Sequence, residues 1–234
     1  MRARLSNVVR LWARFSMSRR SFHRASEADR RRDLIAATLD CIAESGLENA
    51  TVREIAARAG VTQGLIRHYF VSKDQMLHAA YRELMAGLLG GVMDEADGVH
   101  PTARARLRAF IVANLSEPVA DVKRLSLWAA FISRVRVDPV FAQIHLESYT
   151  AFRSVLEDLV TDVLKEAQLD PDPAGCRELA IAINGLIDGL WLEGTLAGEL
   201  FADMPLSDIA IRSVEALLGG VSLDANTSPP TRKT

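Results

Sequence analysis

The sequence predicts an all-α protein made of a small N-terminal three-helix unit and a larger C-terminal helical bundle. Three observations carry that prediction. Apolar residues recur at helical spacing in nearly every segment, strand-like alternation is absent, and the segments are divided by short Gly, Pro and Asp turns. With 49% apolar residues in a chain of 234, a core of domain size can be buried, which excludes a disordered chain.

Residues 1 to 27 form a basic extension that is expected to be disordered. Arg2, Arg4, Arg10, Arg14, Arg19, Arg20 and Arg24 alternate with Leu5, Val8, Val9, Leu11, Trp12 and Phe15, and no acid precedes Glu27. Three readings stay open: an arm on DNA phosphates, an amphipathic segment on a membrane surface, or a translation start placed too early, with Met17 as the first residue.

The first helix is expected from about Glu27 to Ser45, with Leu34, Ile35, Leu39 and Ile42 on one side and a stop at Gly46. Thr51 and Glu54 have capping-box spacing, so Thr51 should cap a short helix from Val52 to Ala59 that Gly60 ends. Thr62 can cap a third helix, Gln63 to Tyr69. Ser72 and Gln75 supply another box, opening a long helix from Lys73 to about Met93. Two short helices joined by a tight turn thus stand between two longer ones, and residues 28 to 75 form the N-terminal domain.

Residues 76 to 220 read as the second domain. Helices are expected at Thr102 to Leu115, Val122 to Arg136, Pro139 to Ala167, Pro173 to Leu196 and Ser207 to Leu218. In the third of these, Phe141, Ile144, Phe152, Val155, Leu159 and Val163 form one core-facing stripe. The helix from Pro173 is apolar nearly all round, which requires cover on both sides, by its own core and by a partner subunit. Residues 221 to 234 are expected to be a disordered tail.

Charge and cysteine content narrow the function. Residues 1 to 80 hold 14 Lys and Arg against 8 Asp and Glu, and residues 81 to 234 hold 14 against 22, behind a net charge of -2. A basic front suits a polyanion and an acidic remainder suits solubility. Cys41 and Cys176 sit at apolar positions outside any metal-type spacing and read as buried hydrophobes of a reducing compartment. The apolar stretch from Leu179 to Leu192 is broken by Asn184 and Asp188 and is too short to span a bilayer, so no membrane segment is expected and the cytoplasm follows. No phosphate loop, nucleophile elbow or paired-His metal motif occurs, which argues against an enzyme, and no cofactor is implied.

The paired short helices have the form of a helix-turn-helix, whose second helix reads the major groove with its N-terminal residues. Leu65, Ile66 and Phe70 are spaced to pack on Ile55 and Val61, leaving Thr62, Gln63, Gly64, Arg67, His68 and Tyr69 for DNA. Gln63 can pair with adenine and Arg67 with guanine. Gly64 admits a close backbone approach. Tyr69 and Lys73 are placed to hold phosphates, as are the amides that follow Thr51.

The string ATVREIAARAGVTQGLIRHYFVSKDQML, residues 50 to 77, resembles the N-terminal domain of the TetR family. Thr51, Ile55, Ala56, Ala59, Gly60, Val61, Tyr69, Phe70, Lys73 and Leu77 fall where that pattern wants them. The resemblance implies a homodimeric repressor of double-stranded operator DNA, with three N-terminal helices for DNA and about six more for dimerisation and a small-molecule effector. The run GLIDGLWLEGTLAGE, residues 185 to 199, is similar to the choline-responsive branch of the family, whereas the Arg-rich stretch before Glu27 departs from it.

Phe110, Trp128, Phe131, Tyr149, Phe152 and Trp191 are spread over four C-terminal helices, and bundle interiors commonly hold small molecules. Aromatic faces beside an acid would hold a quaternary ammonium by cation-π attraction. Asp188 is the first candidate for that acid, with Glu147 and Glu193 behind it. The aromatics can equally be plain core, the acid can equally pair at a subunit interface, and a neutral hydrophobic or drug-like effector is the alternative.

Overall fold

The structure, a computed structural model, describes residues 27–201 and 203–224, which are helices and turns throughout. The Arg-rich stretch and the last ten residues lie outside the described residues. The helices are α1 (Glu27–Ser45), α2 (Val52–Arg58), α3 (Gln63–Tyr69), α4 (Lys73–Asp97), α5 (Ala103–Asn114), α6 (Val122–Val135), α7 (Pro139–Glu166), α8 (Pro173–Ala197) and α9 (Leu206–Leu217). A 3-10 turn, Gly198–Phe201, follows α8.

Local chemistry fixes most of the helix starts. Thr51, Thr62, Ser72, Thr102, Asp121, Asp138 and Asp172 each accept a backbone N–H of the helix that follows, which satisfies donors that have no partner within the helix. At Thr51 the box is reciprocal, with Glu54 accepting the Thr51 N–H. Gly46 and Gly60 take φ of +80° and +63°, the left-handed conformation that ends a helix cheaply only when no Cβ is present.

The buried side chains form two cores rather than one. The first joins α1, α2 and α3 to the first half of α4, to Leu127 and Phe131 of α6, and to Phe141 and Ile144 of α7. The second joins Val92 and Ala96 of α4 to α5, α8, α9 and the stretch of α7 from Phe152 onward. Both α4 and α7 therefore run through both cores, and Leu88 of α4 packs against each. Arg104 with Glu166 at 3.1 Å and Arg106 with Asp162 at 3.4 Å add ties between α5 and α7.

Two expected boundaries move. The long helix continues past Met93 to Asp97, because Val92 and Ala96 are fully buried in the second core and their packing outweighs the poor helix propensity of the glycines before them. Residues 221–224, inside the stretch expected to be tail, pack against the bundle. Leu223 is fully buried, its N–H donates to Glu215 Oε1 at 2.7 Å, and Asp224 pairs with Arg108 at 3.3 Å.

Helix α8 buries Cys176, Ala180, Ile183, Asn184 and Ile187 and leaves Ile181, Leu192 and Leu196 exposed on its other side. By length and composition alone, Pro173–Phe201 is long and apolar enough to cross a membrane, a property that core helices share. Cys41 and Cys176 are buried free thiols.

Candidate DNA-reading surface and effector cavity

Helix α3 is anchored by Ile66 and by Phe70 just beyond it, both in the first core. Its first turn points the other way. Thr62, Gln63, Gly64, Arg67 and His68 are exposed, and Tyr69 is half-buried with its ring edge against His68. Thr51 and Thr62 spend their hydroxyls on capping, accepting from Glu54 N and Leu65 N at 3.3 Å each. A Cβ at Gly64 would meet only the Thr62 hydroxyl, at 3.7 Å, which is ordinary contact. The fold therefore does not require glycine there, whereas a backbone that must lie against another surface does.

Lys73 opens α4 immediately after the Ser72 cap, beside Arg67 and Val71 around a small hollow of about 130 Å³. Amides at a helix start and two cations form a surface that attracts anions. Among the described residues no group of three or more His, Cys, Asp and Glu is arranged to hold a metal.

A second site lies where the two cores meet. A cavity of about 280 Å³ is walled by Met85, Leu88 and Leu89 of α4, Asn114 of α5, Val119, Trp128 of α6, Tyr149 and Phe152 of α7, and the stretch of α8 from Asn184 to Leu192. Its size sits at the small end of the range for ligand pockets, roughly 300–1,000 Å³. Trp128 and Trp191 meet edge to face with centroids 5.8 Å apart, and the Trp191 indole N–H donates to Val119 O at 3.1 Å.

Asp188 is the acid of this cavity. Its Oδ2 accepts the Tyr149 hydroxyl at 3.3 Å and the Asn184 amide at 2.9 Å. The residue is exposed at the cavity, and the apolar walls beside it partly desolvate the carboxylate. Desolvation accordingly pushes its pKa up, against the lowering effect of the two hydrogen bonds and of Arg153. A cation delivered to this carboxylate would relieve the desolvated charge.

Of the six aromatic candidates and Asp188, five, namely Trp128, Tyr149, Phe152, Asp188 and Trp191, come together on the cavity wall. Phe110 and Phe131 do not. Phe110 stands behind Phe152 with centroids 5.2 Å apart, and Phe131 lies in the first core between Tyr81 and Phe141. Glu147 is exposed and bonded to Gln143, and Glu193 is exposed and off the wall. The walls contributed by α4, and the amide side chains Asn114 and Asn184, do not stand out in the sequence as pocket residues. The two asparagines carry a signal nonetheless, because each is a polar residue on a buried helix face.

Comparison with known proteins follows the same division. Residues 34–80 match the model of the bacterial regulatory proteins of the tetR family, and residues 103–231 match that of the BetI-type transcriptional repressor C-terminal domain. The HTH-type transcriptional regulator BetI of Burkholderia thailandensis is 32% identical over 189 residues, 81% of this chain and 93% of that protein. The BetI of Burkholderia cenocepacia is 34% identical over 169 residues, 72% and 84% of the two chains. A solved transcriptional regulator from Pseudomonas aeruginosa PAO1 aligns with a TM-score of 0.77 at 31% identity, covering 86% of this chain and 95% of that one. A regulator from Saccharomonospora viridis, solved in complex with choline, shares the fold with a TM-score of 0.66 at 19% identity, over 82% and 97%. The chain belongs to the TetR family of transcriptional regulators and carries a BetI-type repressor domain.

Proposed function

We propose that this repressor binds a palindromic operator as a homodimer and leaves it when a quaternary ammonium, choline foremost, occupies the cavity at Asp188. The carrying observation is a desolvated carboxylate beside an edge-to-face Trp pair in a cavity whose walls include α4, the helix that starts at the DNA-reading surface. A quaternary ammonium cannot donate a conventional hydrogen bond, so aromatic faces and a carboxylate are its natural partners. The choline bound to the Saccharomonospora viridis regulator supports the class of effector. The operator contacts fall to Gln63, Gly64, Arg67, His68, Tyr69 and Lys73, with Thr51 and Thr62 holding the helices that present them. The protein acts in the cytoplasm, without catalysis.

The deciding experiment is calorimetry and tryptophan fluorescence with choline, betaine aldehyde and the uncharged isostere 3,3-dimethylbutanol. Choline should bind and the isostere should bind at least tenfold more weakly. Equal binding of the isostere would remove the cationic argument in favour of a neutral hydrophobic effector, and failure of both cations would end the choline assignment.

A further inference from the structure

We infer that Tyr81 and His145, neither of which lines the cavity, are positioning residues that report the state of Asp188 to the DNA-reading unit; the inference rests on the repressor reading above. A continuous chain of contacts connects them. Asp188 of α8 accepts the Tyr149 hydroxyl, the Tyr149 ring stacks on His145 at 4.3 Å and 31°, and His145 Nδ1 meets the Tyr81 hydroxyl at 2.9 Å. Tyr81 belongs to α4, two turns after Lys73.

The far end of this chain of contacts is buried. Tyr81 is fully buried, with its ring 5.2 Å from Phe131 and 5.3 Å from Phe141, in the same core that holds Ile66 and Phe70 at the DNA-reading helix. Close-packed interiors move as units instead of deforming side chain by side chain, so a shift of Tyr81 is a shift of the floor under α3. The hydroxyl of Tyr81 is also tied. A buried hydroxyl keeps its partner because losing it leaves a desolvated polar group, and the one hydrogen bond formed by this hydroxyl among the described residues goes to His145.

The near end responds to charge. Both hydrogen bonds to Asp188 fall on Oδ2, so a cation that draws the carboxylate toward the cavity loosens the Tyr149 hydroxyl. That ring and the imidazole stacked on it then reorient together. Tyr81 must follow or lose its hydrogen-bond partner, and α4 is biased toward another packing. This supplies the differential contact between two states that any coupling of two sites requires.

The test is a double-mutant cycle in operator affinity without any effector, using a duplex selected from random sequence by the purified full-length chain. Tyr81→Phe and Asp188→Asn stand at the two ends. Substitutions at two sites that do not communicate act additively, and those joined through a network do not. Each single substitution is expected to change operator affinity at least threefold, and the double variant to match the larger single within twofold. His145→Asn, which keeps a polar atom for Tyr81, should stay within threefold of the parent, and His145→Leu should behave as Tyr81→Phe. Should Tyr81→Phe fail to fold, His145→Leu takes its place in the cycle. Singles that leave affinity unchanged, or a double whose effect is the product of the singles, overturn the inference. The cycle contains no effector, so failure of choline to bind falls on the effector class and leaves the coupling of Tyr81 to Asp188 intact.

Discussion

The side chains at the start of α3 divide their work according to chemistry. Thr62 is committed to its own helix by capping, whereas Arg67 and Gln63 are exposed and long enough to reach base edges. Arg67→Ala is therefore expected to cost about 1–3 kcal/mol and to relax sequence preference, while Lys73→Ala should weaken all sequences alike and lower the salt slope by about one. Fluorescence anisotropy across a salt series and a panel of duplexes separates the two, and equal loss of specificity from both would count against the roles. At the other end of the first core, His145 lies below its usual 6.5 because burial disfavours the imidazolium and Arg153 repels it. Just below pH 6.5 the unfolded chain takes up a proton that the folded chain refuses, so this contribution is fully present above that pH and is lost as pH falls. The melting temperature should accordingly drop from pH 7 to pH 5 with a slope that His145→Asn flattens; an unchanged slope would show that His145 is not the group responsible.

At the scale of elements, α4 runs through both cores, as α7 does, and its middle carries its glycines. Gly87, Gly90 and Gly91 fall between Met85, which packs in the first core, and Val92, which packs in the second. A Cβ at Gly90 or Gly91 would meet nothing within 4 Å among the described residues, so packing against them does not explain glycine at either. Each glycine costs a helix interior about 1 kcal/mol relative to alanine. Gly90→Ala should raise stability in urea by about that amount and, by stiffening the joint, reduce the factor by which effector weakens operator binding. A stabilised variant with undiminished response would show that the joint is idle. The same helix marks where reading from sequence stops. Starts are legible because caps such as Thr51, Thr62 and Ser72 are local, and the apolar stripe of α7 is legible because its period is regular. The end of α4 is not, since Val92 and Ala96 are held by α5 and α7 from elsewhere in the chain. The cavity is half legible for the same reason: Trp128, Trp191 and Asp188 stand out by residue type, but which aromatics face a void and which fill the core depends on how the helices pack, and Phe110 and Phe131 fill it.

Across the whole molecule, the exposed side of α8 sets the requirement that the other scales leave open. Ile181 is 48% and Leu196 is 71% exposed on a helix whose opposite face is core, and a Cβ at Gly185 or Gly189 between them would meet nothing within 4 Å among the described residues. A second copy of α8 laid across this side would cover the apolar residues, and the glycines would let the two backbones approach. The two α3 helices of such a pair then address two half-sites at once, and their spacing, set through α4, is what an operator reads. Ile181→Asp should place a desolvated charge at the centre of that contact. The expected outcome is a monomer in sedimentation at micromolar concentration, with operator affinity lowered by about 10²-fold or more because the second half-site is no longer an intramolecular partner. Choline binding to the monomer should persist, since the cavity wall is built within one chain. The linkage should shrink, however: with one half-site engaged, the spacing of two α3 helices no longer enters operator affinity, and only the part carried within one chain remains, still common to operator and choline. A dimeric Ile181→Asp variant would place the interface elsewhere, and a monomeric one that still binds a palindrome tightly would remove the two-site basis of recognition.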